Sequence, residues 1–244
     1  VNLDANVNVV DIVMLTQYIL EEITLNDIQY SAANMNMDGG LDVIDIVMIV
    51  DEILGISLSR REGLEDITLK YGNGIFSIEF EKVIAGIQCD VSGDFEIKSI
   101  FVNEGWKLHE NGKTLLLYAE DGSDLSTNRP FEYEGDLQVN SCMATDWFFE
   151  PTMVDVVELP KTYSLHSAYP NPFNPTTRID FDLPVDSHVS MTVYNLQGRL
   201  LMTLSDEIKP AGYHSISWNA SQYSSGVYFV SIYAQNTDIS TVNS

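Results

Sequence analysis

Basic residues are scarce in this chain of 244 residues. Twelve Lys and Arg stand against 36 Asp and Glu, which gives a formal net charge of −24. Such an acidic surface repels phosphate backbones, so the composition argues against a nucleic-acid-binding protein. The first 56 residues hold ten acidic residues and no basic one. We therefore expect this segment to repel itself and to fold poorly without a bound cation.

Catalytic motifs and long apolar runs are also missing from the sequence. It contains no HExxH pattern, no GxSxG elbow and no P-loop, and its histidines have no i,i+4 spacing suited to zinc. No apolar run approaches the roughly 20 residues that span a bilayer. These absences argue against an enzyme and against a transmembrane segment. The four scattered histidines are His109, His166, His188 and His214.

Cysteine is limited to two residues, Cys89 and Cys142. Both lie in segments that read as strands, GIQCDV and QVNSCM. In an exported protein such a pair can form a disulfide bond. Two buried free thiols are the alternative, and the sequence leaves both open.

The segment NMNMDGGLDVID, residues 34–45, carries oxygen-bearing side chains at alternate positions around a glycine pair. Ca²⁺ binds about six to eight oxygens, which a loop of this length supplies from its first, third, fifth, seventh, ninth and twelfth positions. Gly39 falls where such a loop turns sharply. The pattern predicts a calcium site, and a polar turn that caps a helix is the alternative. The expected ligands are Asn34, Asn36, Asp38, Gly40, Asp42 and Asp45.

A second copy of this loop lies 34 residues earlier, where VVDIVM at 9–14 matches VIDIVM at 43–48. Its first position would precede Val1, so we expect a fragment of a longer protein and an incomplete first site. Ala5 replaces the glycine of the sharp turn, which predicts weaker binding there. The expected ligands of this first site are Asn2, Asp4, Asn6, Asn8 and Asp11.

Paired loops of this kind, each followed by an apolar helix, resemble dockerin, the small calcium module of cellulosomal and related secreted proteins. The resemblance covers residues 1–56. An aspartate at the twelfth position and the expected lack of a helix before the loop distinguish these loops from regular EF-hands. The resemblance implies two bound Ca²⁺ ions and a cohesin module as partner. It implies contacts at the tenth and eleventh loop positions, which are Val9, Val10, Val43 and Ile44. Because these residues are apolar, they either form a hydrophobic partner face or pack in cis against residues 57–160.

Hydrophobic periodicity divides the rest of the chain. Residues 11–23 and 45–55 are predicted as two helices that pack together, and ISLSRREG at 56–63 as a polar linker. From about residue 64 the period changes to two, and Asn111-Gly112 indicates a β-hairpin. We predict an antiparallel β-sandwich over 57–160, whose pattern resembles cohesin or carbohydrate-binding sandwiches.

The aromatic residues of this sandwich have two interpretations. They either pack in its core or form a platform on which a sugar ring stacks. The residues concerned are Trp106, Tyr118, Tyr133, Trp147, Phe148 and Phe149.

The last part of the chain follows a connector predicted at 151–168. The YPNPFNP segment from Tyr169, the VYNLQGR hairpin and the AGYH and SSGVYF strands form a small immunoglobulin-like sandwich within residues 161–244. These motifs closely resemble the C-terminal sorting domain of the type IX secretion system. The resemblance implies that the type IX machinery is a partner, and that the protein is secreted or attached to the outer-membrane surface.

The sequence thus predicts a multidomain protein with a small all-α calcium loop–helix pair followed by two all-β, immunoglobulin-like sandwiches. We expect the non-catalytic C-terminal part of a secreted or cell-surface bacterial protein, with a calcium-stabilised interaction module and a secretion signal. The alternatives are the accessory tail of an extracellular polysaccharide hydrolase and a glycan-binding module.

Overall fold

The computed structural model describes residues 1–4, 6–55, 67–81, 83–149 and 151–237. The chain forms two compact units, Val1–Val157 and Glu158–Ser244. Ala5 and the predicted linker at 56–63 lie outside the described residues. Among the helices that the structure describes, none has the length and apolar character needed to cross a membrane.

Three short helices open the described part of the first unit: α1 Val9–Ile19, α2 Asp27–Ala33 and α3 Val43–Leu54. Each begins with a capping box of two reciprocal hydrogen bonds. The N-cap side chain accepts the backbone N–H of the residue three positions later, and the side chain of that residue accepts the N-cap backbone N–H. The two predicted helices are therefore present, with α1 ending four residues earlier than expected.

Helix α2 was not predicted, and it lies directly before the second loop. The expectation that no helix precedes that loop is therefore wrong. The sequence does contain a signal for it, because Asn26 accepts hydrogen bonds from Ile28 and Gln29 N–H while the Gln29 side chain caps Asn26. This spacing is the capping-box pattern that starts helices.

The strands that follow the helices are β1 Thr68–Gly72, β2 Ile75–Glu79, β3 Gly86–Ser92, β4 Phe95–Ile100, β5 Trp106–Glu110, β6 Thr114–Ala119, β7 Phe131–Gly135, β8 Gln138–Thr145, β9 Pro151–Met153 and β10 Asp155–Glu158. Over the described residues they form two five-stranded sheets, with the orders β10-β1-β2-β7-β4 and β5-β6-β3-β8-β9. The predicted turn at Asn111-Gly112 joins β5 to β6.

A disulfide bond crosses the second of these sheets. Cys89 of β3 lies directly opposite Cys142 of β8, and the two sulfurs are bonded. Both residues are buried. Of the two alternatives left open by the sequence, the structure therefore has the disulfide.

Strand β6 shows how the helices meet the sandwich. Its sequence TLLLYA lacks the alternation of a half-exposed strand, because both of its faces are buried. Leu116 and Tyr118 share one face with their β3 partners Gln88 and Gly86. Helix α3 packs on β3, β6 and β8, and one hydrophobic core runs from the helices into the sandwich.

The strands of the second unit are β11 Ser164–Leu165, β12 Thr176–Leu183, β13 Ser187–Asn195, β14 Leu200–Lys209, β15 Gly212–Asn219 and β16 Tyr228–Asn236. Up to residue 237, where the description ends, they form two three-stranded sheets ordered β11-β12-β15 and β14-β13-β16. The buried core of this unit includes Ile179 and Phe181 of β12, Val189 and Met191 of β13, and Trp218 of β15. The segment predicted as a connector, 151–168, contains the short strands β9, β10 and β11.

Candidate calcium loops and interaction faces

The second loop starts where α2 ends and is curled by its own side chains. The Asn36 Oδ1 accepts a hydrogen bond from the Asp38 N–H at 3.1 Å, and the Asp38 Oδ1 accepts one from the Gly40 N–H at 2.9 Å. Gly39 has a φ of +94°, a region that residues with a side chain rarely adopt. The predicted sharp turn is therefore present at the predicted glycine.

Asp45 closes this loop from the first turn of α3. Its Oδ1 accepts a hydrogen bond from the Met35 N–H at 2.7 Å, and its Oδ2 accepts one from the Asp42 N–H at 3.1 Å. Asp42 in turn caps α3, because its Oδ1 accepts the Ile44 N–H at 2.8 Å. One carboxylate thus ties the beginning of the loop to its end.

The electrostatics of this loop suit a bound cation. Burial raises the pKa of Asp45 to about 6, and burial, with the nearby charge of Asp38, also raises the pKa of Asp42. The side-chain oxygen of Asn34 is buried and has no hydrogen-bond partner among the described residues. A divalent cation would offset the cost of both features, since it stabilises carboxylates and accepts amide oxygens as ligands. The loop residues therefore fit calcium.

The described residues contain no cluster of three or more His, Cys, Asp or Glu side chains that is ready to hold a metal. In the second loop, the carboxylates of Asp38, Asp42 and Asp45 accept backbone N–H groups of the same loop. The other expected donors are Asn side chains and a backbone carbonyl. The ligand sets predicted from the sequence thus stay predictions.

The first loop repeats the hydrogen bonds of the second, 34 residues earlier. The Asn2 Oδ1 accepts the Asp4 N–H at 3.0 Å, and the Asp4 Oδ1 accepts the Asn6 N–H at 2.8 Å. Buried Asp11 accepts the N–H groups of Asn2 and Asn8. The two loops therefore have equivalent conformations at the described positions.

The predicted contact residues of the two repeats lie in opposite environments. Val9 and Val10 of the first repeat are 56% and 53% exposed, whereas Val43 and Ile44 of the second are 0% and 1% exposed. The first pair thus remains open to a partner protein. The second pair is covered within the first unit.

Polar contacts fix the helices on the sheet at several points. The Val43 N–H donates to the Gln88 Oε1 at 3.0 Å, and the Thr16 and Tyr118 hydroxyls are 3.1 Å apart. Burial raises the pKa of Tyr118 to about 12. The Asn111 side chain donates to the Leu20 carbonyl at 2.7 Å. Because these donors and acceptors are paired, the contact resembles a protein interior more than a loose encounter.

The structure does not support a sugar-stacking platform in the sandwich. Trp106, Tyr118, Tyr133 and Trp147 are only 2–5% exposed, and Phe149 is half-buried. Only Phe148 is appreciably exposed among the six, at 38%. A platform needs ring faces open to solvent, so the interpretation of these six residues as a glycan site is wrong.

Two motifs of the second unit meet at one cavity. The PNPFNP segment and the SSGVY segment line a space of about 480 Å³. Phe173, Tyr223 and Tyr228 from its wall contact the ring of buried Trp218. Two of the motifs that characterise the last domain in the sequence therefore pack around Trp218.

Two family models match the chain. Residues 1–54 match the dockerin type I domain, and residues 167–242 match the secretion system C-terminal sorting domain. No curated protein matches the chain. Dockerin and sorting domains are non-catalytic modules, and they indicate a secreted or cell-surface protein. The chain therefore carries a dockerin type I domain at residues 1–54 and a type IX C-terminal sorting domain at residues 167–242, with a β-rich region between them.

Proposed function

We propose that the chain is a non-catalytic, calcium-stabilised protein interaction module joined to a secretion signal. The observation that carries the proposal is the second loop, which buried Asp45 closes and in which the buried side-chain oxygen of Asn34 has no hydrogen-bond partner among the described residues. Such an arrangement is unfavourable without a cation and favourable with one. The match to a dockerin type I domain supports the same reading.

Calcium would act on folding in this proposal. The loop residues would hold Ca²⁺ at the start of α3, and the free energy of binding would appear as stability of the helices. We propose two sites because the two loops share one hydrogen-bond pattern. The first would use Asn2, Asp4, Asn6, Asn8 and Asp11, and the second Asn34, Asn36, Asp38, Gly40, Asp42 and Asp45.

The proposed partner of the helical module is a cohesin-like protein, and that of the sorting domain is the type IX secretion machinery. We propose functional boundaries at 1–56 for the calcium module, 57–160 for the sandwich and 161–244 for the sorting domain. The final location would be the extracellular space or the outer-membrane surface.

Calorimetric titration of the full chain with CaCl₂ tests the calcium part of the proposal. We expect heat of binding in the wild type and loss of one site in Asp45→Asn. Glu52→Gln is the matched control, since it neutralises an exposed acid on the same helix and should bind as the wild type does. Absence of binding, or an unchanged Asp45→Asn variant, would refute the assignment.

A further inference from the structure

The two repeats carry nearly the same side chains at equivalent positions of their helix starts, VVDIVM and VIDIVM, but differ there in exposure. We define the first-repeat face as Val9, Val10 and Val13, and the second-repeat face as their equivalents Val43, Ile44 and Val47. The first-repeat residues are 47–56% exposed, and the second-repeat residues are 0–1% exposed. Since the side chains are almost the same, only the surroundings of the two faces explain the difference.

Val43 and Val47 of the second-repeat face are covered by the chain's own sandwich. A Cβ placed on Gly86 of β3 would lie 2.5 Å from the Val43 Cγ2 and 3.1 Å from the Val47 Cγ2. The helix approaches β3 this closely because residue 86 has no side chain. Leu116 and Tyr118 of β6 extend the same face of the sheet. The sheet is therefore shaped as a receptor for this helix face.

We propose that the chain's own sandwich is the resident partner of the second repeat, so that the module binds a separate protein through the first-repeat face alone. The inference rests on the proposed function, and it adds that the first-repeat face is the side of the module that is open to a separate protein. A module in which both repeats expose this face would bind its partner in two orientations. This module exposes the face of the first repeat alone and therefore binds in one orientation.

The contact between the second repeat and the sandwich also indicates the chemistry of the separate protein that would bind the first-repeat face. Because the two faces are equivalent, the first-repeat face fits an apolar sheet surface with a small residue at its centre. The helical segment holds ten acids and no base, so the rim of that surface carries Lys or Arg. One pair of this kind joins the helical module to the sandwich, between Lys113 of the sandwich and Glu21 after α1.

A designed cross-link tests the resident contact in the full chain. The variant combines Val47→Cys and Gly86→Cys with Val43→Ala, because alanine removes the Val43 Cγ2 that would lie 2.5 Å from the new Cβ at position 86. The sulfur at position 47 would take the place of the Val47 Cγ2, 3.1 Å from that Cβ, which is within reach of a disulfide. Oxidised glutathione should produce an intramolecular 47–86 bond, mapped by peptide mass spectrometry beside the native 89–142 bond. The matched variant, Val13→Cys and Gly86→Cys with Val43→Ala, should give none. Failure of the 47–86 bond to form would overturn the proposal.

Binding of a panel of recombinant cohesin modules, measured with calcium present, tests the free face. The cross-linked variant should bind as tightly as the wild type, and Val9→Asp with Val13→Asp should bind about tenfold or more weakly. Lost binding in the cross-linked variant, retained binding in the aspartate variant, or no binding by any module would overturn the proposal. Calorimetric calcium binding, measured separately, shows whether the proposed function fails as well.

Discussion

Truncation of Val47 to alanine gives the most direct energetic measure of the helix–sheet contact. Val47 is fully buried beside Gly86, and the change removes two carbon atoms from that contact. At about 0.8 kcal/mol per buried carbon, plus a cavity contribution, the loss is about 2–3 kcal/mol. The higher helix propensity of alanine offsets about 0.5 kcal/mol of this loss in the free energy of unfolding. We expect a net destabilisation of about 2 kcal/mol.

The chain supplies its own control for this measurement. Val13 is the repeat equivalent of Val47 and is 47% exposed. Val13→Ala carries the same propensity gain but little lost burial, so its free energy of unfolding should change by no more than about 0.5 kcal/mol. The difference between the two variants isolates the contribution of the sandwich.

Urea denaturation with saturating CaCl₂, followed by tryptophan fluorescence, provides the two free energies of unfolding. The expected gap of about 2 kcal/mol corresponds to about 4–8 °C in melting temperature for a unit of this size. Equal effects of the two substitutions would mean that the second repeat does not dock on the sheet. The argument from burial would then be refuted.

Three further predictions concern the first unit. Gly86→Ala should cost about 1–3 kcal/mol by overpacking, and adding Val43→Ala should restore part of it, as a double-mutant cycle would measure. Replacement of both Cys89 and Cys142 by serine should cost about 4 kcal/mol in chemical denaturation, given the separation of 53 residues. Burial lowers the pKa of His109, so the unfolded chain binds that proton more readily. Stability should therefore fall as the pH drops through about 6.5, and His109→Gln should remove this part of the loss.

The loops and their helices could be predicted because their rules are local. Alternate Asn and Asp residues, a glycine at the turn and an acid at the twelfth position all act within one short segment. Helix α2 follows an equally local rule at Asn26 and Gln29, and attention to the capping box would have found it. The hairpin at Asn111-Gly112 was predictable for the same reason.

The difference in burial between the two helix faces was not predictable from the sequences of the repeats. Val13 and Val47 are both flanked by Ile and Met, and the packing of α3 on the distant strands β3, β6 and β8 is what buries Val47. The run LLLYA in β6 was informative, because a strand that is apolar on both faces must pack against other elements on both faces. The same double coverage buries Tyr118, one of the six aromatic residues considered for a sugar platform.

The melting temperature of the full chain across a calcium titration tests the central claim most directly. With free Ca²⁺ about 100-fold above the dissociation constant, one site contributes about 2.7 kcal/mol, or about 5–11 °C. We predict a rise of this size that EDTA reverses and that Asp38→Ala with Asp45→Ala removes for the second site. A melting temperature independent of calcium would contradict the account and leave the loops as turns that cap helices.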